Sequence, residues 1–197
     1  MAWKPDYIDT AAFSEFVRVD DTVDDAVVQV AITSASRAID AATNRQFGSA
    51  TGERLYTAQP NYDLGLWVVV VDDIQTTDGL VILCDGEEIT EYRMDPPNAV
   101  ADGKVWTRIV IKESSSVQPT GADMEMAITA DPWGWSAIPD AVVHAAELQT
   151  NRFVNRRDSW AGVAGSPDSG TEIRLLKQLD PDVRMSLTDY VRPREVF

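Results

Sequence analysis

The sequence predicts an α+β fold: a helical bundle of about four helices with an inserted small antiparallel β domain, sandwich or barrel-like. Three observations carry that prediction. Residues 22–43 and 139–157 repeat apolar side chains at spacings of three and four. Between residues 53 and 129 the pattern changes to short runs rich in Val, Ile and Thr, bounded by turn residues. Helical spacing then returns. The expected divisions are 1–50 for N-terminal helices, 51–131 for the β region, and 132–197 for C-terminal helices, a glycine-rich loop and a tail.

Residues 10–17 (TAAFSEFV) predict a short helix, with Asp9 or Thr10 as its cap and Phe13, Phe16 and Val17 on its apolar side. In 22–43, Thr22 can cap the free N–H groups, and Asp24 and Asp25 sit where the helix dipole favours carboxylates. Val27, Ala31, Ala35, Ala38 and Ala42 form a stripe that Val28, Ile32 and Ile39 widen. Gly48 is the expected stop.

ERLYTA, LWVVVV, GLVILCDG, EITEYRM, VWTRIVI and DMEMAIT are strand-length runs. Asp78-Gly79 and Asp85-Gly86 are hairpin-type turns. In DMEMAIT, Met124, Met126 and Ile128 alternate with Asp123, Glu125 and Ala127. Together the runs predict a small antiparallel sheet, closed or nearly so.

Pro139 restarts a helix at its first position, where a missing N–H costs nothing. Val142, Ala146, Gln149, Phe153 and Arg156 form one rail of a helix roughly 28 Å long at 1.5 Å per residue. Arg156 and Arg157 fall in its last turn, where cations suit the dipole. A loop with Gly162, Gly165 and Gly170 follows. Thr171 can cap a short helical segment bearing Ile173, Leu175, Leu176 and Leu179. Asp180 or Asp182 starts a last helix carrying Val183, Leu187 and Tyr190, and the tail VRPREVF ends the chain.

The chain has 197 residues and a formal net charge of −15. That balance argues against a protein that grips a phosphate backbone, which needs a basic face. Residues 1–138 hold 23 acidic and 9 basic side chains, whereas 139–197 hold 9 and 8, so the two regions are expected to meet different surroundings. One cysteine, Cys84, excludes intramolecular disulfides and Cys-based zinc sites. One histidine, His144, excludes multi-histidine metal sites. The longest apolar run, LWVVVV, cannot span a bilayer, and a soluble chain made in a reducing compartment is expected.

His144, with Asp140 and Glu147 a turn or less away, is the first candidate for catalysis, but no nucleophile-elbow motif accompanies it. Neither the acid runs around Asp20–Asp25 and Asp85–Glu91 nor the loop glycines match calcium or phosphate-loop spacing. No cofactor or metal is expected. Trp133 and Trp135 suit a core plug or an aromatic anchor between subunits, and Trp160 is a third candidate of that kind.

In order along the chain come a helix pair ending in AIDAATNRQF, the β region, WGWSAIPDAVVHAAELQTNRFVNRRDS, the GVAG loop, and IRLLKQLDPDVRMSLTDYVR. This ordered combination resembles the head-to-tail connector (adaptor, or head-completion) proteins of long-tailed bacteriophages, of the gp6-like and actinobacteriophage type. The resemblance implies a structural virion protein of the neck, made in the host cytoplasm. It implies a ring of twelve subunits beneath the portal, continuing the DNA channel, with the stopper or tail-completion protein on the other side. Double-stranded DNA would pass without specific binding. It implies that residues 22–43 pack on 139–157. It makes Arg156, Arg157, Gly162, Gly165, Tyr190, Arg192, Arg194 and Phe197 candidates for docking to the portal or a neighbour. A monomeric protein-binding module and a small enzyme using His144 are the alternatives.

Overall fold

The computed structural model describes residues 3–18, 25–158, 163–164, 173–174 and 179–193. These form a mixed α+β fold with four α-helices and two four-stranded antiparallel sheets. Two compact units are present. One comprises Met1–Lys4 and Gly48–Ala137, and the other Pro5–Phe47 and Ile138–Phe197.

In the helical unit, α1 (Thr10–Val17) starts where Asp9 accepts a 2.7 Å hydrogen bond from the Ala12 N–H. It buries Phe13. α2 (Asp25–Thr43) buries Ala31, Ile32, Ala35, Ser36, Ile39 and Thr43. Its core face is thus rotated from the expected stripe: Val27 is 37% exposed and Ala42 lies outside the core. Two polar residues explain the rotation. Ser36 and Thr43 donate to the Ile32 and Ile39 carbonyls within the helix, which lets both hydroxyls be buried without an unmet donor. Ser36 Oγ also accepts from the Tyr7 N–H at 3.0 Å. α2 packs on α3 (Asp140–Asp158), which buries Val142, Ala145, Ala146, Gln149 and Thr150. The alanines on both helices permit close approach.

Beyond α3 the expected helical segment from Thr171 is not what Ile173 and Arg174 form. They make strand β10 (Ile173–Arg174), antiparallel to β9 (Val163–Ala164). Ile173 is β-branched and favours an extended backbone. Leu175 and Leu176 lie outside the described residues. α4 (Pro181–Ser186) is capped by Asp180, whose carboxylate accepts from the Asp182 N–H, and a 3-10 turn follows over Thr188–Tyr190.

The β unit has strands β1 (Ser49–Tyr56), β2 (Gln59–Asn61), β3 (Leu66–Ile74), β4 (Val81–Cys84), β5 (Glu87–Glu88), β6 (Tyr92–Asp95), β7 (Trp106–Ile111) and β8 (Met126–Gly134). They form two open sheets, ordered β1-β8-β4-β5 and β2-β3-β7-β6. The expected nearly closed single sheet is therefore corrected: the sheets are not closed into a barrel, and they share one apolar core. Val69, Val71, Ile109 and Ile111 from one sheet join Ile82, Met126, Ile128 and Trp133 from the other.

Two local expectations also change. Asp78-Gly79 does not close a hairpin, because β3 and β4 belong to different sheets. The turn, with Leu80 N–H bonded to the Thr77 carbonyl, carries the chain from one sheet to the other. Asp85-Gly86 does close a two-residue hairpin, with φ of +50° and +86°, between Cys84 and Glu87. At the start of β8 the expected alternation breaks. Met124 has φ +54° and is 58% exposed, whereas Glu125 is buried. The left-handed residue turns the next side chain inward.

Strand structure extends past both expected limits, residues 51 and 131. β1 opens at Ser49, opposite Gly134, and Pro132 sits where the β1–β8 register shifts. A ladder irregularity tolerates the missing proline N–H.

Candidate docking surface

Two of the described docking candidates, Tyr190 and Arg192, lie at the C-terminal end of α2. Thr43 ends α2, and Asn44 follows with φ +52°. The Arg192 N–H donates to the Thr43 carbonyl at 2.8 Å, so the chain after the 3-10 turn is tied to the C-terminus of α2. The Tyr190 ring meets Phe47 edge-on, with centroids 5.8 Å apart. Tyr190 is thus partly occupied in packing rather than presented freely.

Beside this tie lies an open groove of about 580 Å³, lined by Ala42, Leu179, Arg184, Leu187, Thr188 and Val191. Leu187 forms its buried floor, and Val191 is 47% exposed. Met185, nearby in α4, is 74% exposed. Among the described residues no carboxylate pairs with the Arg184 side chain. The approach to α4 is braced instead by Arg152, which pairs with Asp180 at 3.4 Å, and by Gln149, whose Oε1 accepts from the Asp180 N–H. Arg156 is half-buried near the end of α3. The Arg157 side chain, Trp160, Gly162, Gly165, Arg194 and Phe197 lie outside the described residues.

Trp133 and Trp135 are interior residues of the β unit, each 2% exposed or less. Trp133 Nε1 donates to the Gly52 carbonyl at 2.7 Å, and Trp135 Nε1 to Asp73 Oδ2 at 3.0 Å. Satisfying both indole N–H groups is what permits such burial. Arg54 lies between two indoles, 4.3 Å from the Trp3 ring and 4.9 Å from that of Trp133, and pairs with Asp72. Tyr56 donates to the same Asp72 carboxylate at 2.9 Å. Burial first, and then that carboxylate, push the Tyr56 phenol well above its ordinary range. It stays a neutral donor.

His144 is an exposed helix residue. Its Nδ1 lies 3.2 Å from Glu147 Oε2 and its ring meets Phe16 edge-on. Among the described residues no hydroxyl or thiol is hydrogen-bonded to it, so the base–nucleophile contact of a hydrolytic site is not formed there.

Sequence reasoning missed one polar cluster. Cys84, Asp85 and Glu125 bring potential ligand atoms within 4.8 Å of one another. Glu125 has a structural use. It accepts from the Thr120 N–H at 2.9 Å, the Thr120 hydroxyl at 2.8 Å and the Gly121 N–H at 2.8 Å. Burial alone would raise its pKa, but these donors and the Ala122 N–H together hold it below the usual carboxylate range. Burial, with Glu125, Asp85 and Glu87 nearby, pushes the Cys84 thiol up. A protonated thiol is a poor metal ligand and nucleophile. The signal in the sequence was the T-G-A-D-M-E turn, in which one carboxylate can close back on preceding N–H groups.

Glu125 therefore carries a pH dependence. Its folded pKa lies below the unfolded value of about 4.3. Its contribution is fully present above that value and is lost as pH falls through the depressed folded pKa. Glu125→Gln should cost about 1–3 kcal/mol at neutral pH, because amide hydrogens would face N–H donors. It should also flatten the acid limb of a plot of urea midpoint against pH. An acid limb identical to that of the unsubstituted chain would contradict the assignment.

No family model matches the chain, and no curated protein matches it.

Proposed function

We propose that this chain is a structural head-to-tail adaptor of a long-tailed phage neck. In this reading it forms a ring, of twelve subunits by the resemblance, that continues the DNA channel beneath the portal. The stopper or tail-completion protein would meet its other side. The observation that carries the reading is the division of the chain. Pro5–Phe47 and Ile138–Phe197 form one helical unit, in which α2 packs on α3, and the long middle segment Gly48–Ala137, with Met1–Lys4, forms a single β unit. This fits a connector bundle of about four helices with one β insertion.

Three further features support it. The net charge of −15 suits a channel wall that lets DNA slide without adhering. The groove beside Arg184 offers an apolar surface for protein rather than a set of converging catalytic groups. The exposed His144 is hydrogen-bonded, among the described residues, to Glu147 rather than to a nucleophile, which favours the adaptor over the enzyme alternative. Arg156, Arg192 and the tail to Phe197 remain the candidates for portal contact. The test is whether phage heads produced without this chain can still join tails.

A further inference from the structure

The β2–β3 hairpin ends in a tip that the core does not use. Tyr62 is 89% exposed and Leu64 55%, with the acid Asp63 between them. The tip is nonetheless held in shape. Asn61 Oδ1 accepts from the N–H groups of both Asp63 and Leu64 at 3.1 Å, and Gly65 takes φ +64°. A braced loop presenting a tyrosine and a leucine loses little conformational freedom on binding, and tyrosine is favoured at the centre of protein interfaces.

We propose that this tip docks into the groove beside α4 of a second copy of the chain. Three properties point to that occupant. The groove is apolar, with Leu179, Leu187 and Val191 in its lining, which suits Tyr62 and Leu64. Its volume, about 580 Å³, lies within the range of about 300–1,000 Å³ typical of pockets that enclose a compact group. Charge selects the partner surface as well. Among the described residues Asp63 forms no ion pair and no carboxylate pairs with Arg184 at the groove. On a chain of net charge −15, the nearly neutral C-terminal region is where an acidic tip meets least repulsion.

Tip and groove are different surfaces, so the contact is heterologous. A pair so formed keeps one free tip and one free groove, and association continues until a ring closes. The proposal deepens the adaptor reading and rests on it only for closure. The contact itself can be tested with purified chain, without portal or tail.

The test uses the full-length chain in sedimentation velocity and native mass spectrometry. The unsubstituted chain should pass beyond a dimer as concentration rises. Tyr62→Ser with Leu64→Ser should stay monomeric, and so should Arg184→Glu with Val191→Asp. An equimolar mixture of the two should stop at a heterodimer, since one intact tip and one intact groove remain. Unsubstituted chain that is monomeric at every concentration, a tip variant that associates normally, or a mixture that stays monomeric would overturn the proposal. Should either pair of substitutions disturb the fold, Asp63→Lys and Arg184→Glu read the same contact. Each alone should weaken association and the two combined in one chain should restore it; failure of the combination to restore it would also overturn the proposal. Loss of this contact would leave a role at the head–tail junction standing.

Discussion

Gly134→Ala is expected to unfold the β unit under conditions where the unsubstituted chain is folded. Gly134 has φ +87°, and a Cβ there would lie 2.1 Å from the Gly48 carbonyl oxygen and 3.0 Å from the Trp3 ring. That oxygen belongs to backbone held by the Trp135 N–H at 3.0 Å, in the same ladder that pairs Ser49 with Gly134. It cannot move aside as a flexible side chain would. Backbone strain of about 1–3 kcal/mol and overpacking of about 1–3 kcal/mol together cost roughly 2–6 kcal/mol. Gly86→Ala is the control. Gly86 also has positive φ, +86°, but a Cβ there meets nothing within 4 Å. Urea unfolding followed by near-ultraviolet circular dichroism should show a much larger loss for Gly134→Ala. Equal losses would mean that steric closeness at Gly48 contributes nothing.

Trp133→Ala should cost about 3–5 kcal/mol, the usual range for removing a large buried aromatic. The indole is fully buried, within 5.8 Å of the Tyr56 ring by centroid, and it carries one face of the Arg54 sandwich. Trp133→Phe should lose less. It keeps an aromatic face beside Arg54 but leaves the Gly52 carbonyl without its indole donor, a loss of about 1–3 kcal/mol. Thermal unfolding of the three proteins should rank them in that order. A Trp133→Ala chain as stable as the unsubstituted one would place the anchoring of the β core elsewhere.

Much of the architecture was legible because it is periodic. The LWVVVV and VWTRIVI runs became β3 and β7, and the residues with helical spacing became α1, α2 and α3. Periodicity failed where a local backbone feature intervened. Pro132 and Gly134 punctuate the sequence as a loop would, yet they lie in β8, because a register irregularity accommodates the proline and the glycine fits against Gly48. Met124 reads as a core position, and its left-handed backbone gives that position to Glu125 instead.

The candidate site was less legible, because it depends on distance along the chain. Tyr190 and Arg192 could be named from their place near the end. Their ties to Phe47 and Thr43 join residues more than a hundred positions apart. The groove lining likewise combines Ala42 with residues 179–191. Exposure was hidden as well: nothing in NYDLG distinguishes an 89% exposed Tyr62 from a tyrosine folded back on its own sheet.

The most direct test of the adaptor role is a phage carrying a stop codon in the gene for this chain. Lysates of a non-suppressing host should contain heads and tails separately by electron microscopy. Supplying the chain from a plasmid should restore joined particles, with a ring of density at the portal vertex. Joined, infectious particles formed in its absence would contradict the role.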